Sequence, residues 1–183
     1  MSPARLTRRQ RELVRELDQL TDLFDLDYWN IQSYPAGAWR TTFLELARNK
    51  IVRSQIIIWY TLIDEHLNLR LSRFFYGSKR TTVQLWRTKR YKLFNYHVLE
   101  ELSLLQKLRF AKAIHPIPKR VAARIEHFNA LRNGVAHAFF PENLKKAPPV
   151  WRGVSVFTLA GAKILAQDIQ EIIDFFLAAG DRP

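Results

Sequence analysis

The chain has 183 residues, 48% hydrophobic and 13% aromatic, with Cys 0 and a net charge of +12. That is enough for one ordinary domain with a sizeable core and too little for two large ones. With no cysteine there can be no disulfide staple, thiolate metal site or cysteine nucleophile, and the few glycines and prolines argue against a many-turned β fold.

Residues 5–27 predict a first helix. Leu6, Leu13 and Leu20 recur every seven residues, with Leu17 and Phe24 between them, a narrow seam that could pack on the body or on a second copy. Pro35 and Gly37 break the pattern, so residues 1–37 read as an N-terminal helical extension. The segment 1–13 is charged and carries no apolar run, which predicts no secretory signal.

Residues 38–75 predict a long helix without glycine or proline, ending just before Gly77. Apolar residues occupy more than one face around 56–63, which predicts a central helix buried on several sides. The run 56–63 is the longest apolar stretch and falls far short of the roughly 20 residues of a membrane span. No membrane association is expected, and a cytoplasmic location is.

Residues 77–91 read as a basic connection and 92–114 as a further helix. Pro116 and Pro118 separate it from a helix over 119–140. Residues 150–159 partly alternate and predict a short extended stretch. Thr158 then reads as the N-cap of a last amphipathic helix to about Ala179, with Leu165, Ile169, Ile172, Ile173 and Phe176 inward. The expected fold is all-α: a bundle of four to five helices, its main domain covering 38–183.

The charge is concentrated. Residues 70–124 contain 14 cations and only two anions, Glu100 and Glu101, and the rest of the chain is neutral. Phe74, Phe75, Tyr76, Trp86, Tyr91, Phe94 and Tyr96 are interleaved with the cations. Cations for phosphates and rings for bases suit single-stranded nucleic acid, while a membrane surface or an acidic protein partner remain as alternatives. The candidate nucleic-acid-binding residues are Arg80, Arg87, Lys89, Arg90, Lys92, Arg120, Arg124 and Asn129.

Residues 127–140 (HFNALRNGVAHAFF) carry the most chemistry. On a helix at about 100° per residue, Phe128, Leu131, Val135 and Phe139 share one apolar arc. The neighbouring arc holds Asn129, Arg132, Asn133 and His137, with the small Ala136 between them. Those parts can cleave RNA without a metal, because the 2′-OH next to the scissile phosphate is the nucleophile. His137 suits proton transfer near neutral pH, Arg132 suits the charge that builds on phosphorus, and Asn133 can hold phosphate or orient the imidazole. Arg132 and His137 lie about 140° and about 7.5 Å apart along one helix, so two such helices crossing at a twofold axis would converge them better than one. A homodimer is expected.

The string Arg132-Asn133-Gly134-Val135-Ala136-His137, late in a basic all-helical domain, resembles the HEPN superfamily. Its signature is an Arg, four to six residues, then a His, often with a polar residue directly after the Arg. The resemblance implies a metal-independent endoribonuclease with a site at a dimer interface, acting on RNA as a toxin or defence effector with a possible antitoxin or regulatory partner. It also implies no cofactor. Asp64 or Glu65 is a candidate partner for Arg132 or His137. Gly134 is a candidate kink or close-packing point. His66, His97, His115 and His127 read as packed or solvated, and no pair among them has the spacing of a helical metal site. The alternative function is a non-catalytic helical module that binds nucleic acid or a partner protein.

Overall fold

The computed structural model describes residues 38–77, 82–136 and 149–180. The chain divides into two compact units, residues 1–48 and 49–183, and the second holds the helical core. The expected helix over 5–27 lies outside the described residues.

Among the described residues, six α-helices and a small hairpin follow in order: α1 (Ala38–Tyr76), α2 (Thr82–Trp86), α3 (Lys89–Phe94), α4 (Leu104–Ile114), α5 (Lys119–Ala136), β1 (Val150–Trp151), β2 (Val154–Ser155) and α6 (Leu159–Gly180). The expected all-α bundle and its short extended stretch are both present. Among the described residues, no helix is long and apolar enough to cross a membrane.

One stripe of α1 builds the core. Ile56, Ile63, Leu67 and Leu71, spaced seven, four and four apart, are buried against Leu104, Leu108 and Ala111 of α4, Ile125, Phe128 and Leu131 of α5, and Leu165, Ile169 and Ile172 of α6. The expectation that α1 is buried on several sides is corrected here. Ile57, Ile58 and Leu62 stand exposed, at 47%, 52% and 43%.

The segment expected as one helix over 92–114 is divided. α3 runs into a π-helical turn, Asn95–Leu99, and the chain restarts at α4. Ser103 sets the restart: its hydroxyl accepts from the Gln106 amide N–H, and the Gln106 side chain accepts from the Ser103 amide N–H. This reciprocal cap satisfies two N–H groups that the helix itself leaves free. The basic connection over 77–91 also holds structure, since α2 lies inside it and Thr88 caps α3.

The hairpin pairs Val150 with Ser155 and Trp151 with Val154. Its two loop residues, Arg152 (φ +48°) and Gly153 (φ +79°), are both left-handed, the turn whose twist matches the strands it joins. Thr158 caps α6, as expected, by accepting from the Gly161 amide N–H at 3.1 Å. Gly161 is required by space. A Cβ there would stand 2.0 Å from the Ser155 carbonyl oxygen, so α6 can approach β2 only through a glycine.

Candidate active site

α5 packs on α1 through Ile125, Phe128 and Leu131, which fixes the arc bearing Asn129, Arg132 and Asn133. Near the end of the described helix, the Arg53 Nη2 of α1 donates to the Val135 carbonyl at 2.9 Å. A cation on one of the last carbonyls of a helix is a favourable terminus.

The Arg132 guanidinium lies over the Tyr60 ring, 4.7 Å from its centroid. Its Nη1 donates to the Asn133 Oδ1 at 3.2 Å, and its Nε is buried with no hydrogen-bond partner. Among the described residues no carboxylate pairs with Arg132. The Tyr60 hydroxyl donates to the Asn129 Oδ1 at 3.5 Å. Burial pushes the Tyr60 pKa up; the Arg132 charge pulls it down and Asp64 pushes it up further. Tyr60 is therefore a neutral donor at physiological pH.

Asp64 does not reach Arg132. It pairs with Lys107 of α4 at 2.6 Å, and that lysine side chain is only 4% exposed. Glu65 accepts instead from the Asn68 side-chain amide, at 3.4 Å. Among the described residues Gly134 is not a close-packing point, since a Cβ there would meet none of them within 4 Å. α5 runs through it as helix. His137 lies outside the described residues, as does Arg80.

The remaining basic residues fall into two groups. Arg87, Lys89, Arg90 and Lys92 are exposed around α3, with Arg90 5.3 Å from the Tyr76 ring centroid. Arg120 and Arg124 are held by carboxylates of α6. Both pair with Glu171, and Arg124 also meets the buried Asp168 at 2.6 Å. Asp168 accepts further from the Trp151 indole at 2.8 Å and from Arg152 at 2.6 Å. The hydrogen bond from Arg124 is the main reason the Glu171 pKa lies below its ordinary value. This network ties α5, the hairpin and α6 together.

Two histidines stack on aromatic rings. His66 is stacked on Phe176, 5.5 Å between ring centroids, and burial lowers its pKa. His127 is stacked on Trp151 at 4.4 Å. Among the described residues, no three His, Asp or Glu side chains stand close enough together to hold a metal ion.

Sequence reasoning missed Tyr60, Asn68 and Lys107. The signal for the first two was available: Tyr60, Asp64 and Asn68 are four apart, a polar stripe along one side of the helix. Lys107 sits at a core-facing position of α4, where the pattern calls for an apolar residue.

Set against family models, curated proteins and solved structures, the chain matches none of them.

Proposed function

We propose that the protein is a metal-independent endoribonuclease acting as a homodimer, with Arg132, Asn133 and His137 at a composite interface site. The observation that carries this reading is Arg132. Its guanidinium is half-buried on Tyr60, lacks a carboxylate partner among the described residues, and keeps an unsatisfied Nε. A guanidinium held in place without a counter-ion is prepared for an anion, and phosphate matches its planar fork. Asn129 and Asn133 flank it on the same helix and can complete the grip.

In the reaction, the substrate 2′-oxygen attacks the adjacent phosphorus and the bond to the 5′-oxygen breaks. The 2′-OH proton leaves to a base, and the departing 5′-oxygen takes a proton from an acid. His137 is assigned to this proton transfer, by itself or paired with its counterpart in the second copy. Arg132 stabilises the charge gained by the phosphoryl oxygens. The exposed cations around α3 guide the strand. The proposed setting is a cytoplasmic toxin or defence effector restrained by a partner protein.

The test is cleavage of structured RNA in EDTA by wild type, Arg132→Ala and His137→Ala. Wild type should cut and leave 2′,3′-cyclic phosphate ends, and both variants should be at least about 100-fold slower. Salt-sensitive RNA binding without cleavage would replace this reading with the non-catalytic module.

A further inference from the structure

Beside Tyr60 lies a hollow of about 270 Å³ lined by Asp64, Glu65, Asn68, Glu100 and Lys107. It is smaller than the roughly 300–1,000 Å³ typical of drug-sized ligands and suits a single base. Each side-chain donor group that lines it already serves a neighbour. Lys107 donates to Asp64 at 2.6 Å, the Asn95 amide to Glu100 at 2.8 Å, the Asn68 amide to Glu65 at 3.4 Å and the Tyr60 hydroxyl to Asn129 at 3.5 Å.

Its acceptors are in excess. Three carboxylates line it, and the Oδ1 of Asn68, a residue 5% exposed, is buried without a partner among the described residues. Exchanging the amide's O and N would not relieve this, because the oxygen would then face Glu65. Buried acceptors without donors are costly, so the hollow is suited to a ligand that brings donors.

A second, more open hollow of about 580 Å³ shares Glu65, Asn95 and Glu100 with the first. Trp86, Tyr96, Lys89 and Lys92 add rings and cations to its lining. Trp86 and Tyr96 are exposed, at 45% and 64%. Rings for stacking and ammonium groups for phosphate distinguish a nucleotide from a simple organic cation, which needs neither.

We propose that Glu65, Glu100 and Asn68 form a guanine-recognition pocket beside Arg132, reading an unstacked base of the RNA strand. The proposal rests on the RNA-cleaving reading of the neighbouring site. Among the four RNA bases, only guanine places two adjacent donors, N1–H and N2–H, along one edge, which a single carboxylate accepts together. A guanine held here would set which phosphodiester reaches Arg132.

The experiment is calorimetric titration of the full chain with 5′-GMP, 5′-IMP, 5′-AMP and spermidine, for wild type, Glu65→Gln and Glu100→Gln. IMP keeps N1–H and lacks the 2-amino group. GMP should bind about tenfold or more tighter than IMP or AMP, and at least one variant should reduce GMP to the IMP level. Both glutamates are exposed, and unchanged thermal melting would confirm that the variants fold. Equal binding of the three nucleotides, no saturable GMP binding at millimolar concentration, or spermidine binding that excludes GMP would overturn the pocket. The titration involves no cleavage, so it separates the two ideas. Guanine preference in an inactive protein removes only the nuclease, and cleavage without guanine preference removes only the pocket.

Discussion

The guanidinium of Arg132 rests on the ring of Tyr60, 4.7 Å from its centroid, so α1 positions the charged group that α5 supplies. A cation over an aromatic face gains roughly 0.5–2 kcal/mol, enough to select one orientation of a long side chain. Tyr60→Phe retains the face and loses the hydroxyl bond to Asn129, so it should keep RNA cleavage within about threefold of wild type. Tyr60→Ala removes the support and should lower the rate about 10–100-fold by misplacing Arg132. Single-turnover kinetics on one RNA would measure both. Equal losses in the two variants would assign the effect to the hydroxyl instead.

Gly134 separates a monomeric from a dimeric site. A Cβ there meets none of the described residues, so Gly134→Ala should raise helix stability by about 0.5–1 kcal/mol. If a second copy of α5 crosses at this point, the added methyl should weaken the dimer and lower cleavage. Denaturant unfolding beside sedimentation analysis reads both effects. A more stable variant with unchanged association and activity would remove Gly134 from the interface.

Asp168 is the keystone of the ion network. Replacing it by Ala leaves the Arg124 side chain, 12% exposed, with only the exposed Glu171 as partner and strips the Trp151 indole of its acceptor. A loss of about 3–5 kcal/mol is expected in chemical denaturation. Arg120→Ala, whose side chain is 69% exposed, should cost under about 1 kcal/mol. RNA affinity separates structural from binding roles. Arg120→Ala should change it little, whereas Lys89→Ala with Lys92→Ala should weaken it and flatten its salt dependence.

Stability should fall in two acid steps. Folded His66 resists protonation more than the unfolded chain does, so its contribution is complete above the ordinary value of 6.5 and declines as pH drops below it. Glu171 is held below its ordinary value of 4.5; its contribution is present above that pH and is lost as pH falls through the lower folded value. Melting temperature should be level from pH 8 to 7, then decline in those two windows. His66→Phe keeps a ring against Phe176 and should remove the upper step, and Glu171→Gln should reduce the lower one, to which Asp168 also contributes. An unchanged upper step in His66→Phe would place that titration elsewhere.

The helical pattern was largely readable because one-sided burial leaves a periodic trace. Ile169, Ile172 and Phe176 repeat at helical spacing and are buried together, and Thr158 announced its helix by residue type alone. The division of 92–114 was harder to see, since apolar residues continue through the π-helical turn, where Tyr96 and Val98 are exposed. The signals at Ser103 and Gln106 were present but lay inside an unbroken apolar rhythm. α1 misled for the opposite reason. Ile57, Ile58 and Leu62 are apolar yet exposed, and composition cannot tell which side of a helix finds partners.

The sequence by itself determined the helical class, the short extended stretch within 150–159, the concentration of charge in 70–124 and the placing of two amides and a guanidinium on one arc of α5. Each of these depends on residues near one another along the chain. Tertiary packing decided the rest: Tyr60 under Arg132, Lys107 rather than Arg132 on Asp64, Arg120 and Arg124 held by α6, and Asn68 left with an unanswered oxygen. These relations join residues as much as 72 positions apart, as with Tyr60 and Arg132. Pairing of opposite charges depends on distance in space, and only the packed helices set that distance.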